Sequence, residues 1–293
     1  MAVSQSAKGI LIALGGVLVL TPDTLFMRWS EMDGAQMIVW RGWLMGAVFL
    51  SIWMASGASR SGDLRRLATV AGLTAAAAYG LNSLAFSYGI AVAPVSVVLI
   101  AVATVPVWAA VLSRWLMGEP TRPATWMVMA LVVGGIAVAV SDGGAGGTHA
   151  SGAVAGAVAG LVVALMLGLS FVLFRKYPDL PILLCIGVGS VASGAVGFTQ
   201  VSPPALADGQ IWAIALTGLI FLPLPFFALS VAARFTHAAN VSLILLLETV
   251  LGPLWVWAGT GEAPGSAMWL GGFVVVVSLA GYILWTSRRP VSG

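Results

Sequence analysis

The chain has 293 residues, 60% of them hydrophobic and only 8% charged, with a formal net charge of +3. A water-soluble single domain of this length cannot cover its surface with so few charges, so the composition excludes that class. The basic excess comes from arginines flanking apolar runs, not from a clustered patch or an aromatic-rich groove, which excludes a nucleic-acid surface as well.

Ten apolar runs are long enough to cross a hydrocarbon core of about 30 Å, which takes roughly 20 helical residues. The first, 9–28, is too long for a signal peptide and lacks an A-x-A cleavage site, so it reads as a retained helix carrying Pro22 and Asp23. The second, 36–56, holds Arg41 near its start. The third, 68–89, sets Tyr79, Asn82, Ser83 and Phe86 on one helical face, because residues three and four apart are neighbours. The fourth, 93–116, contains Thr104 and Pro106, and the fifth covers 124–141. A Gly-rich joint follows. The sixth run, 152–174, opens on Gly152, Gly156 and Gly160, a ridge that permits close helix contact. The seventh, 181–201, holds Cys185, the lone cysteine, so no intrachain disulfide is possible. The eighth, 211–233, contains Pro223 and Pro225; the ninth, 237–258, contains Glu248 and Pro253; the tenth is 267–286. Strand alternation is absent, and in lipid a helix satisfies its own backbone, so the fold class is an all-α polytopic membrane protein with ten transmembrane helices.

Charge gives the topology. With the N-terminus inside, Lys8, Arg60, Arg65, Arg66, Arg114, Arg122, Arg175, Lys176, Arg234, Arg288 and Arg289 all fall on the cytoplasmic side. Those are 11 of the 13 basic residues, and only Arg28 and Arg41 lie outside. Basic residues are retained on the cytoplasmic side, so both termini are expected there.

The chain also repeats itself. Ala93-Pro94-Val95-Ser96 running to Pro106 resembles Ala239-Asn240-Val241-Ser242 running to Pro253, and each is followed by Gly-Glu, at Gly118-Glu119 and Gly261-Glu262. Phe26-Met27-Arg28-Trp29 matches Phe174-Arg175-Lys176-Tyr177. Two halves of five spans each must lie upside down relative to one another, as in the inverted repeats of secondary transporters. The expected units are 1–142, an external linker at 143–151, and 152–293.

These landmarks, with Arg41, Ala85-Phe86-Ser87-Tyr88, Leu247-Glu248-Thr249 and the ordered prolines, make the chain similar to EamA-type transporters of the drug/metabolite transporter superfamily. Within that family it most resembles the YddG-type exporters of aromatic and neutral amino acids. The resemblance implies a ten-helix carrier of the bacterial inner membrane that moves small organic solutes outward. Thr21-Pro22-Asp23 departs from the Trp-plus-small-residue pattern common in the first span of relatives.

Polar groups inside spans are costly and are therefore functional candidates. Tyr79, Asn82, Ser83, Phe86, Thr104 and Glu248 are the expected substrate-binding set. An aromatic wall with amide and hydroxyl partners suits a small zwitterion with a variable side chain. Glu248 could bind an ammonium, relay a proton, or pair with a neighbouring hydroxyl. Asp23 and Arg41 are expected as a charge pair at the outer mouth, where Arg41 could also snorkel or meet a carboxylate. His237 reads as an interfacial residue. Pro22, Pro106, Pro223, Pro225 and Pro253 are expected to kink or gate, since each removes a backbone hydrogen bond.

The expectation is an exporter of neutral and aromatic amino acids working by alternating access, facilitator-like and broad in specificity. The alternative is a drug or other metabolite exporter of the same architecture, possibly proton-coupled. The sequence contains no nucleotide-binding motif, no catalytic G-x-S-x-G and no metal-binding His-E-x-x-His, so no enzyme, cofactor or metal is expected. The lipid bilayer and small solutes are the expected partners, with no nucleic acid and no obligatory protein.

Overall fold

A computed structural model of the chain describes residues 5–57, 59–92, 95–119 and 150–261, with scattered positions within 123–134 and 270–281. The spans expected at 124–141 and 267–286, and the linker expected at 143–151, lie for the most part outside the described residues. Among the described residues every regular element is helical. In chain order they are α1 (Gln5–Leu20), α2 (Asp23–Ser30), α3 (Gly34–Ala55), α4 (Arg60–Leu67), α5 (Val70–Val92), α6 (Val95–Val102) and α7 (Val105–Met117). Then come α8 (Ala150–Lys176), α9 (Ile182–Phe198), α10 (Ile211–Leu216), α11 (Pro223–Phe235), α12 (Ala238–Leu245) and α13 (Leu247–Thr260). Among the described residues five helical runs are long and apolar enough to cross a membrane, or six if α4 and α5, bent by 77°, count as one. Val105–Met117 and Ile182–Phe198 are apolar but shorter.

Several spans are broken, and the breaks have a shared chemistry. At Thr21, Thr104, Thr217 and Thr249 the hydroxyl donates to the carbonyl three residues back, on Leu18, Ala101, Ile214 and Leu246. Such back-bonding competes with the helical ladder and bends it. A proline compounds the effect by removing an N–H and crowding the carbonyl four residues earlier. At Pro22 the two devices converge, because the crowded carbonyl is that of Leu18, which the Thr21 hydroxyl satisfies at 3.0 Å. Pro106 lies in the first turn of α7, and Pro223 opens α11 after a π-helical turn at Thr217–Phe221. Pro253 behaves differently: α13 runs through it, and the break in that span falls earlier, at Leu246. The joint expected near residues 57–67 is in part the short helix α4, tied down by Trp53 Nε1 donating to Asp63 at 2.9 Å.

In lipid, helices associate through close packing and not through a hydrophobic drive, which favours small residues at contacts. Glycines supply that here. A Cβ on Gly42 of α3 would meet Gly194 N and Ser190 O of α9 at 2.7 Å. A Cβ on Gly80 of α5 would meet Gly189 O of α9 at 3.0 Å, and one on Gly160 of α8 would meet Val98 O of α6 at 2.6 Å. A Cβ on Gly16 of α1 would meet Ala228 of α11 at 2.9 Å. Helices α6, α7 and α12 pack on α8, α11 and α12 pack on α1, and the core gathers around Phe171, Phe174, Leu229 and Ile186.

Candidate functional site

One cavity opens inside the bundle where these breaks lie. Its space, counted with the open mouth, is about 650 Å³. The first span contributes Leu20 and Asp23, α3 contributes Arg41 and Met45, and α5 contributes Tyr79, Asn82, Ser83, Phe86 and Ser87. Val102, Val163, Leu167, Ser190, Leu222, Phe226, Leu245 and Glu248 complete the wall. Five of the six residues expected to bind substrate thus share one chamber. Thr104 does not line it; its hydroxyl is spent on the Ala101 carbonyl at 2.7 Å.

Asp23 and Arg41 differ from expectation in position. They pair at 2.8 Å, but with side chains only 1% and 6% exposed they lie inside the chamber and not at an open mouth. The cause is the break at Thr21-Pro22, which restarts the helix at Asp23 and puts its carboxylate in the first turn, where the helix dipole favours an anion. Glu248 occupies the equivalent first turn of α13 and lies within electrostatic range of both Asp23 and Arg41. A guanidinium–carboxylate pair withdrawn from water is tolerable only when its remaining polar atoms find partners. Here they do not: Asp23 Oδ1, Arg41 Nη1 and Asn82 Oδ1 are buried without a hydrogen-bond partner. The Phe86 ring lies 5.8 Å from the Arg41 guanidinium carbon and covers it from one side.

Tyr79 is buried and its hydroxyl is 2.7 Å from Ser230 Oγ. Ser230 already donates to the Phe226 carbonyl at 2.6 Å, so Tyr79 is the donor in this pair. Its ring packs at 6.1 Å from Phe174 and 5.8 Å from Phe226, forming the aromatic wall of the chamber. Sequence reasoning missed Ser190, Phe226 and Ser230. Each is a lone residue in an apolar run and carries no local signal.

A second polar cluster closes one end of the bundle. Arg175, at the end of α8, grips Glu119 with Nε at 3.0 and 3.2 Å and Nη2 at 2.8 Å, and its Nη1 donates to Thr236 O at 2.9 Å. His237 Nδ1 lies 2.9 Å from the second Glu119 oxygen. Ser6, at the start of α1, reaches Thr236 Oγ1 at 3.0 Å, and Asn240 donates to the same oxygen at 2.9 Å. Gly118 sits in left-handed backbone at φ +69 and stops α7 so that Glu119 turns into this cluster. Burial works against the Glu119 carboxylate, but hydrogen bonds and charge from Arg175 and His237 outweigh it and hold the carboxyl below its ordinary value. The spans tied together here are the ones that supply Leu20, Val102, Val163 and Phe226 to the chamber. At the opposite end Gln36 bonds the Ala205 and Asp208 carbonyls, and Trp40 Nε1 donates to Leu206 O at 2.9 Å.

Among the described residues no group of three or more His, Cys, Asp or Glu side chains is placed to hold a metal ion. A solved crystal structure matches the fold over 100% of both chains, with a TM-score of 0.78 at 18% sequence identity; the likeness is one of fold. No curated protein matches the chain in sequence. Residues 7–141 match the EamA-like transporter family. That likeness covers a little under half of the chain, which folds as a multi-pass membrane protein with helices long and apolar enough to cross a bilayer.

Proposed function

We propose that the protein is a secondary transporter that exports neutral and aromatic amino acids by alternating access, without coupling to ATP. The observation that carries this reading is the chamber itself. In a bundle with few internal ionisable side chains, Asp23, Arg41 and Glu248 face one space beside the aromatic wall of Tyr79, Phe86 and Phe226. Unpaired buried polar atoms there are what a polar solute would satisfy.

The packing supports the inverted repeat. Helix α3 packs on α9, α5 on α8, α1 on α11, and α7 on α12. Exchanging the two halves turns the second pairing into the third and leaves the first and fourth unchanged. The grouping of Lys8, Glu119, Arg175 and Arg234 toward one end fits a cytoplasmic face with both termini inside, and a bacterial inner membrane as the location.

The test is uptake of labelled phenylalanine into proteoliposomes holding only the purified protein. Saturable flux that threonine and methionine compete away supports the reading. Absence of flux from folded protein, with transport of a lipophilic cation instead, would move the assignment to drug export. A pH gradient that drives accumulation against the substrate gradient would replace a facilitator with a proton-coupled carrier.

A further inference from the structure

The Asp23–Arg41 pair is closed on one side and open on the other. Arg41 Nη2 contacts Asp23 Oδ2 at 2.8 Å, while Arg41 Nη1 and Asp23 Oδ1 have no partner. Asn82 Oδ1, on the facing helix, is a third buried atom in the same condition. Residue exposures are 1% for Asp23, 5% for Arg41 and 7% for Asn82, so bulk water does not serve these atoms.

The unmet needs are specific. Arg41 Nη1 offers two N–H donors, and Asp23 Oδ1 and Asn82 Oδ1 offer acceptors. A ligand that satisfies all three needs an acceptor group and a donor group side by side, on the scale of the ion pair. An α-amino acid meets that requirement: backbone geometry puts its nitrogen about 2.5 Å from its carboxyl carbon. Charge selects in the same direction. The pair is neutral as a unit, and a zwitterion adds no net charge to a desolvated site, whereas an anion or a cation alone would add one.

Resting on the amino-acid reading above, we propose that Asp23 and Arg41 form a two-part receptor for the α-amino and α-carboxyl groups. Arg41 Nη1 takes the ligand carboxylate. Asp23 Oδ1 and Asn82 Oδ1 take the ammonium, and the side chain projects onto the Tyr79 and Phe226 rings. The receptor reads the backbone of the solute and leaves its side chain to an apolar wall that accepts many shapes.

The test is binding to the purified full chain in nanodiscs, followed by calorimetry, with phenylalanine, its methyl ester and N-acetylphenylalanine. The wild type is expected to bind phenylalanine about ten- to hundredfold more tightly than either blocked derivative, the worth of one lost charge-assisted contact. Arg41→Gln is expected to shift preference toward the methyl ester, and Asp23→Asn toward N-acetylphenylalanine. A merely structural pair would weaken all three ligands alike. Amino-acid binding whose selectivity is the same in both variants overturns the receptor while leaving amino-acid transport standing. If no derivative of phenylalanine binds the folded wild type, the transport reading itself fails. Should a single variant not fold, the wild-type series still decides, because methyl ester binding equal to that of phenylalanine overturns the proposal.

Discussion

Replacing Glu119 with alanine should unlatch one end of the helical bundle. In the wild type Arg175 makes four hydrogen bonds, three to Glu119 and one to the Thr236 carbonyl. Only the last survives the substitution, and His237 also loses its partner. Exposed ion pairs are worth about 0–1 kcal/mol, and breaking a fully buried pair costs about 3–5 kcal/mol. With side chains 20% and 21% exposed, Arg175 and Glu119 fall between these limits, at about 2 kcal/mol. If that energy holds the Glu119 ends of the spans together, its loss raises the open population about thirtyfold. The assay is the rate at which a membrane-impermeant thiol reagent, supplied from the Glu119 side, labels a cysteine placed at Ser83 in the chamber. Cys185 is fully buried and is replaced by alanine to keep the background silent. The labelling rate should rise by about the same factor, and a Glu119→Arg, Arg175→Glu double exchange should recover part of the closure. An unchanged rate in folded Glu119→Ala protein would show that the cluster is a surface staple with no hold on access to the chamber.

Three further outcomes follow from the same geometry. The Glu119 carboxyl is held below its ordinary value, so its contribution to stability is fully present above the usual carboxylate range and is lost as pH falls through the lowered value. Thermal unfolding in detergent should therefore lose a stabilising term only below about pH 4.3, the ordinary glutamate value, and Glu119→Gln should flatten that part of the curve. Because Tyr79 donates to a Ser230 that is already committed to Phe226, the two deletions are unequal. Tyr79→Phe removes one hydrogen bond, for about 1 kcal/mol, whereas Ser230→Ala strands a buried phenol, for about 1–3 kcal/mol; equal melting shifts would contradict the donor assignment. Gly42→Ala pushes a methyl to 2.7 Å from backbone atoms of α9 that no rotamer can relieve, and should cost about 1–3 kcal/mol in the same melts. An undiminished melting temperature for that variant would refute the tight contact between α3 and α9.

Much of the fold was legible because lipid makes the sequence speak in blocks. Runs of apolar residues mark helices, arginines mark their ends, and prolines mark where they break. The runs from the first to the fourth and from the sixth to the ninth each coincide with helical stretches among the described residues. What the runs could not show is where within a span the helix stops. Pro253 looks like a breaker but is carried inside α13, while the actual break at Leu246 lies beside Thr249, a residue with no distinctive sequence neighbour. A threonine back-bond depends on a rotamer that a single sequence does not encode. The same uncertainty hid the true place of Asp23. Pro22 marks a break in its span, but the sequence does not show which way the helix that restarts at Asp23 faces.

The site was legible in its residue types and not in its wiring. Tyr79, Asn82, Ser83 and Phe86 follow from helical spacing, since one face of one helix is enough to group them. The partners of Tyr79 and Phe86, namely Phe174, Phe226, Ser230 and Arg41, come from three other spans, separated by up to 151 residues in the Tyr79–Ser230 contact, and nothing local announces such pairs. Gly118-Glu119 shows the opposite case. It stood out as a repeated landmark with no assigned task, and the structure gives it one as the turn that delivers a carboxylate to Arg175. Its counterpart in sequence is Gly261-Glu262, with Gly261 again in left-handed backbone at φ +79, and Arg28 lies near the end of the first span as Arg175-Lys176 ends the sixth. Under the proposed inverted repeat, a sequence motif that recurs with both its acid and its base is what two ends opening in turn would require. If Arg28→Ala changes chamber access from the side opposite Glu119, and Arg175→Ala does so only from the Glu119 side, the repeat is the mechanism of alternation; access altered on one side by both variants would reduce it to a relic of duplication.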